Sequence, residues 1–246
     1  MAAAASVIVV TGGARGIGAA TVKTLAARGH TIVFGYLEAD SAAKALVGAV
    51  EKSGGRARSV RADIGGDEGI ARLFAAADEE GRLAGLVNNA GMNGGISKFT
   101  DMPAERVRRV FEVNTLGAFE ACRQAVARFS AAGQGGGIVN VTSQAAIFGG
   151  NNIAAYAASK AALQTFTIAL AREVAGQKVR VNAVSPGVIE TDMHLAAPAD
   201  RRAQVASTLP LGRVGAPEEV AQTIAWLLLD APEYVTGTVI PVAGGR

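Results

Sequence analysis

The chain has 246 residues, 50% of them hydrophobic and 18% charged, with 24 Lys and Arg against 21 Asp and Glu for a formal net charge of +3. That balance excludes a disordered chain, and 31 Gly and 7 Pro with no fixed period exclude collagen-like and low-complexity sequence. The densest basic cluster, Arg106, Arg108 and Arg109, is interrupted by Glu105 and Glu112, so no basic face of the kind that binds nucleic acid forms.

From the amino end, Met1 to Ser6 carries no basic region and the apolar run after it stops at Thr11, too short for a signal peptide or a membrane span. Ser6 to Val10 is β-branched and ends in a glycine-rich turn; from Gly18 to Arg28 apolar residues recur at helical spacing until Gly29. Thr31 to Tyr36 is again short and apolar, so the first forty residues predict a βαβ unit with parallel strands. Further strands are predicted near Ser59 to Arg61, Gly85 to Val87, Ile138 to Thr142, Val179 to Val184 and Val239 to Val242, with helical stretches that include Ala104 to Ser130 and Ile153 to Ala175. No linker interrupts this alternation, which predicts a single α/β domain over residues 1–246: a Rossmann-like, doubly wound parallel sheet with helices on both faces. Residues 186–212 have weak periodicity and predict a lid over the substrate.

The turn Thr11-Gly12-Gly13-Ala14-Arg15-Gly16-Ile17-Gly18 joins the first strand to the first helix, where glycines let backbone N–H groups approach an anion such as a pyrophosphate. Three residues separate Gly12 from Gly16, so the spacing differs from the common G-x-G-x-x-G. The second strand ends Gly35-Tyr36-Leu37-Glu38, without a carboxylate where one would accept from an adenosine ribose, whereas Arg15 in the loop suits a 2′-phosphate. This charge pattern favours NADP(H) over NAD(H).

Tyr156 and Lys160 stand four apart in a helical stretch and share a face. A phenol ionises near pH 10, so a base role at neutral pH calls for a cation, and Lys160 is placed to lower the Tyr156 pKa. Ser143 follows an apolar strand, at the edge of a parallel sheet where ligands bind. Each alone also fits a bland role, as exposed helix face or helix cap.

Together these motifs resemble the short-chain dehydrogenase/reductases, in their single-domain branch, over the entire chain. Thr11-Gly12-x-x-x-Gly16-x-Gly18 resembles the family's cofactor loop, Asn88-Asn89-Ala90-Gly91 its NNAG segment, and Ser143, Tyr156 and Lys160 its catalytic triad. Asn114 resembles the fourth catalytic residue, Asp63 followed by Ile64 the acid segment at the adenine, and Pro186-Gly187 with Ile189 and Thr191 the segment at the nicotinamide carboxamide. The resemblance implies an NAD(P)-dependent oxidoreductase acting between a carbonyl and a secondary alcohol. In it Tyr156 is the general acid or base, Ser143 polarises the carbonyl, Lys160 lowers the phenol pKa and binds ribose, and Asn114 holds a water in a proton relay. The cofactor contacts implied are Gly12, Arg15, Gly16, Ile17, Gly18, Asp63, Ile64, Asn89, Ala90, Gly91, Tyr156, Lys160, Pro186, Gly187, Ile189 and Thr191.

Within the family, Asn151 to Tyr156 and Tyr234 to Gly237 are similar to glucose 1-dehydrogenase-like and 3-oxoacyl-carrier-protein reductase-like members. Arg128 and Arg172 are candidates for a basic face toward an acidic carrier protein. The lid residues Ile189, Met193, Leu195, Ala196, Ala197 and Pro198 favour a moderately apolar alcohol or ketone as the small-molecule substrate. A homotetramer through the two long helices and the C-terminal strand is the family's assembly, and Phe111, Leu116, Phe119, Phe166 and Leu170 suit either that or the protein's own core. The rival reading is a non-catalytic dinucleotide-binding sensor or scaffold; an epimerase or dehydratase of related fold would carry a larger C-terminal domain. Cys122, alone, forms no intramolecular disulfide and predicts a cytoplasmic protein, while His30 and His194 lack a carboxylate at ligand spacing, so no metal site is expected.

Overall fold

The computed structural model describes residues 6–191 and 206–245. Seven parallel strands form one sheet: β1 (Ser6–Thr11), β2 (Thr31–Tyr36), β3 (Arg56–Arg61), β4 (Arg82–Asn88), β5 (Gly136–Val141), β6 (Val179–Pro186) and β7 (Val239–Val242), in the order β3-β2-β1-β4-β5-β6-β7. All seven predicted strands are present. The predictions for β3 and β4 were short, because Arg56, Arg58 and Arg61 break the apolar run of the one and Arg82 and Gly85 that of the other.

Strand alternation divides the core in two. Ile8 and Val10 of β1 point to one face, against Val22 and Leu25 of α1 (Gly16–Ala26), Leu46 and Val50 of α2 (Asp40–Lys52) and Val220 and Ile224 of α8 (Pro217–Ala225). Val7 and Val9 point to the other, against Leu73 and Phe74 of α3 (Asp67–Glu80), Cys122 and Phe129 of α5 (Gly117–Ala132) and Ala171 and Val174 of α7 (Ala154–Val174). Burial on both faces explains why these strands read as continuous apolar runs.

The predicted helix from Ala104 to Ser130 is a rod in three parts: α4 (Ala104–Phe111), a π turn at Glu112–Leu116 and α5, which ends at Gly133 with φ 64°. The π turn inserts one residue into the helical repeat and carries Asn114, 1% exposed, inward. A four-residue helix, α6 (Ala145–Phe148), follows β5 directly. Because the strands are parallel, the carboxyl ends of β1, β4, β5 and β6 open on one edge, and the order reverses between β1 and β4, where a crevice forms in sheets of this kind. Of the expected lid, residues 192–205 lie outside the described residues, and with them Met193, His194, Leu195, Ala196, Ala197 and Pro198.

Candidate active site

At the carboxyl end of β1 the glycine turn is fastened to the loop after β4. Thr11 Oγ1 accepts hydrogen bonds from the Asn89 and Ala90 backbone N–H groups at 3.0 Å each, and Asn89 Nδ2 donates to the carbonyls of Thr11 at 3.1 Å and Gly12 at 2.9 Å. A methyl group on Gly18 would collide with the Gly12 carbonyl and lie 2.6 Å from Asn89 Nδ2, so the loop closes only over hydrogen. Gly16 adopts φ +52°, and a Cβ there would meet the Thr191 methyl at 3.1 Å, which brings Thr191 over the loop. Helix α1 starts at Gly16 with no side-chain cap and no acidic residue in its first turn, so its end presents uncapped N–H donors and the positive end of the helix dipole. The uncapped end of Gly16, Ile17 and Gly18, beside exposed Arg15, fits a pyrophosphate.

The carboxylate of Asp63, past the end of β3, receives both of its Oδ atoms' contacts from Arg109 Nη2, at 2.6 and 2.7 Å, and accepts from the Gly65 N–H at 2.9 Å. Burial pushes its pKa up, but Arg109 and the Gly65 N–H outweigh that and hold it below the ordinary range. Ile64 beside it is buried. At the end of β6, Pro186 accepts from the Gln144 N–H at 2.9 Å and Gly187 donates to Val242 at 3.0 Å, while Ile189 is buried and bridged to Gly215.

Between these two regions lie the polar side chains with chemistry. Ser143 leaves β5, accepts the Ala145 N–H at 3.1 Å and lies on the side of the Tyr156 hydroxyl. Burial raises the Tyr156 pKa and the nearby Ser143 hydroxyl opposes it. Lys160, one helical turn on, is 3% exposed; its Nζ donates to the Val141 carbonyl at 2.8 Å and stands 6.0 Å from the Tyr156 ring centroid. Burial pushes the Lys160 pKa down to about 8. The expected lowering of the phenol by Lys160 is therefore not what governs the protein by itself: with the ammonium that far from the ring, desolvation prevails.

Asn114 completes the group. Its Nδ2 donates to the Met92 carbonyl and to Ser159 Oγ, both at 2.9 Å, and its Oδ1 accepts the Met92 N–H at 2.8 Å. Ser159 Oγ donates in turn to the Tyr156 carbonyl at 2.7 Å. A Cβ on Gly91 would sit 3.2 Å from Lys160 Nζ and 3.3 Å from Asn114 Oδ1, so the NNAG segment lies against both. The structure thus brings together Asn114, Ser143, Tyr156 and Lys160 from the π turn, the β5 end and α7, with Gly91 beside them. Sequence reasoning missed Ser159, and it placed Thr11 in the cofactor-loop motif without the role of fastening that loop to Asn89 and Ala90. The signal for Ser159 was its place between Tyr156 and Lys160 on a helix turning toward Asn114.

Other candidates resolve into structural roles. Arg128 pairs with Asp78 at 2.7 Å and lies over the Phe74 ring at 5.0 Å, and the buried Cys122 accepts from Asn88 Nδ2 at 3.2 Å. His30 Nδ1 meets Ser6 Oγ at 2.9 Å. Among the described residues no group of three or more His, Cys, Asp or Glu is placed to hold a metal ion, and no helix is long and apolar enough to cross a membrane.

Comparison with known proteins agrees with this geometry. Residues 12–246 match the family model described as enoyl-(acyl carrier protein) reductase. The chain is 42% identical to an uncharacterised oxidoreductase, YgfF, of Escherichia coli, over 98% of this chain and all of that protein. It is 39% identical to 3beta-hydroxysteroid dehydrogenase 1 of Eggerthella lenta, covering 97% and 92% of the two. Among solved structures, a blue fluorescent protein from a metagenomic library in complex with NADPH superimposes with a TM-score of 0.88 at 35% identity, covering 98% of this chain and 97% of that one. Acetoin dehydrogenase YohF from Salmonella typhimurium does so with a TM-score of 0.87 at 31% identity, covering 98% and 96%. With a doubly wound sheet, an uncapped glycine loop and a Ser, Tyr, Lys and Asn cluster at one edge, the chain belongs to the short-chain dehydrogenase/reductase family and is an NAD(P)-dependent oxidoreductase.

Proposed function

We propose that the protein interconverts a carbonyl compound and a secondary alcohol with NADPH as the preferred cofactor, Tyr156 serving as general acid in reduction and general base in oxidation. The observation that carries this is the gathering of Ser143, Tyr156 and Asn114 at one sheet edge, with Lys160 buried one turn behind Tyr156 and held by the Val141 carbonyl. Gly12, Arg15, Gly16, Ile17 and Gly18 bind the pyrophosphate end; Asp63 and Ile64 border the adenine; Asn89, Ala90 and Gly91 line the floor; Pro186, Gly187, Ile189 and Thr191 hold the nicotinamide end. When bound, the nicotinamide supplies or accepts a hydride. Ser143 holds the substrate oxygen beside the Tyr156 hydroxyl, the phenol moves the proton at that oxygen, and Lys160 steadies the phenolate and binds ribose. The side-chain amide of Asn114 fixes the backbone at Met92 next to Lys160.

The rim supports a moderately apolar alcohol or ketone. Ile147 and Phe148 of α6, which begins two residues after Ser143, are 60% and 65% exposed, and Ile96 is 64% exposed in a loop tied to Asn152 by the Ser97 N–H at 3.2 Å. Exposed Leu116, Phe119 and Ile168 on the helical rod and α7 support a homotetramer through those helices. The continuous sheet supports one catalytic domain over residues 1–246, and the single buried thiol supports a cytoplasmic setting.

The test is Tyr156→Phe with a panel of ketones. Turnover should fall at least about a hundredfold, as for loss of a general acid, with NADPH affinity within a factor of about two. Unchanged turnover would remove Tyr156 from the chemistry.

A further inference from the structure

Arg61 is the last residue of β3, paired in register with Tyr36, the last residue of β2. Its Nε donates to the Leu37 carbonyl at 3.2 Å, so the guanidinium crosses the end of β2, where dinucleotide folds meet the 2′-oxygen of the adenosine ribose. The neighbouring Ala62 N–H donates to the Tyr36 carbonyl at 2.8 Å and fixes β3 to β2 at this point. Asp40, the acid on this edge nearest Tyr36, accepts the Tyr36 hydroxyl at 2.9 Å; Glu38 is exposed. The Asp40 hydrogen bond pushes the Tyr36 phenol pKa up and the Arg61 charge opposes it, consistent with a cation beside that ring. The glycine turn reaches the same place, since the Gly13 N–H donates to the Gly35 carbonyl at 2.9 Å. Arg61 Nη1 and Nη2 have no hydrogen-bond partner among the described residues, and the side chain is exposed.

We propose that Arg61 is a specificity-determining residue that binds the 2′-phosphate of NADPH through its two terminal nitrogens, while its Nε bond to Leu37 holds the fork in place. This inference rests on the NADPH preference proposed above. The 2′-phosphate is a dianion near neutral pH, and a guanidinium fork matches two of its oxygens, a geometry that lysine cannot reproduce. Arg15, in the loop on the other side of β2, approaches the same ribose from the pyrophosphate side. The end of β2 thereby carries a cation from the neighbouring strand where an NAD-specific site would carry its own acid.

The experiment titrates the intact protein with 2′,5′-ADP and with 5′-ADP, for the parent chain, Arg61→Gln and Arg61→Lys. In the parent chain 2′,5′-ADP should bind at least about tenfold more tightly, as expected for charge-assisted hydrogen bonds. Arg61→Gln should lose most of that ratio with 5′-ADP affinity unchanged, and Arg61→Lys should fall between. If both nucleotides weaken equally in Arg61→Gln, Arg61 only supports the Leu37 loop and the inference fails. If the variant keeps the parent ratio, the inference fails and the NADPH reading stands. If the parent chain binds the two equally, the NADPH preference fails and this inference with it.

Discussion

The side chain of Asn114 holds the backbone of Met92 at both ends, donating to its carbonyl at 2.9 Å and accepting its N–H at 2.8 Å. This amide mimics a strand neighbour for one residue of the loop that passes Lys160. Asn114→Ala leaves these two part-buried backbone groups without a partner and takes away the donor that Ser159 Oγ accepts. The expected cost is about 2–4 kcal/mol of stability, read from urea midpoints, with turnover reduced at least about tenfold. A variant as stable as the parent would show that Met92 finds other partners.

Lys160 makes stability depend on pH in a definite direction. Its pKa is about 8 in the folded chain against 10.5 ordinarily, so below pH 8 both states carry the proton and the folded state bears the burial of charge. As pH rises from about 8 to 10.5 the folded state releases the proton first, and the penalty disappears through that window. Lys160→Met should therefore be the more stable protein near neutrality, by up to roughly 3 kcal/mol less the lost Val141 hydrogen bond. That advantage should shrink on going to alkaline pH, while catalysis is abolished. A difference that stays flat across the window would contradict the burial assigned to the ammonium.

The glycine loop allows a sharper steric test. Gly18→Ala places a methyl group against the Gly12 carbonyl and 2.6 Å from Asn89 Nδ2, both parts of the packed backbone junction. The junction must open, at about 1–3 kcal/mol, and NADPH affinity should fall more than about tenfold because the amides at the α1 end shift with it. Calorimetric titration reads the affinity, and retention of parent affinity would mean the pyrophosphate lies elsewhere.

Cys122 is 1% exposed and burial pushes its thiol up to about 12. Folded protein should be inert to a thiol-specific disulfide reagent at neutral pH, and one equivalent should react on denaturation. Rapid reaction of the native protein would place Cys122 in an opening segment.

The sequence exposes β1, β2, β5 and β6 because each lies buried on two faces, and it exposes the glycine turn and the Tyr156, Lys160 spacing because both are local. Less visible are features built from distant segments. The π turn at Glu112–Leu116 keeps helical periodicity on either side, so nothing local distinguishes it from a continuous helix. Ser159 and Thr11 act through partners 45 and 78 residues away, Asn114 and Asn89. Arg61 lies in a strand whose three arginines hide its β character, and its place beside Tyr36 follows only from the register of β2 on β3.

The pairing of Ser6 with Arg82 and of Thr11 with Asn88 puts β1 and β4 at the middle of the sheet, although a whole αβαβα segment separates them along the chain. At about 5–20 residues per second, a ribosome needs roughly 4–15 s to pass from Thr11 to Asn88. Until β4 is made, β1 can pair only on its β2 side, with β3 beyond β2, and its other edge stays open. The crossover that creates the nucleotide crevice therefore leaves the β4-side edge of β1 unpaired during synthesis until β4 arrives, while α1 and α2 are already available to cover one of its faces.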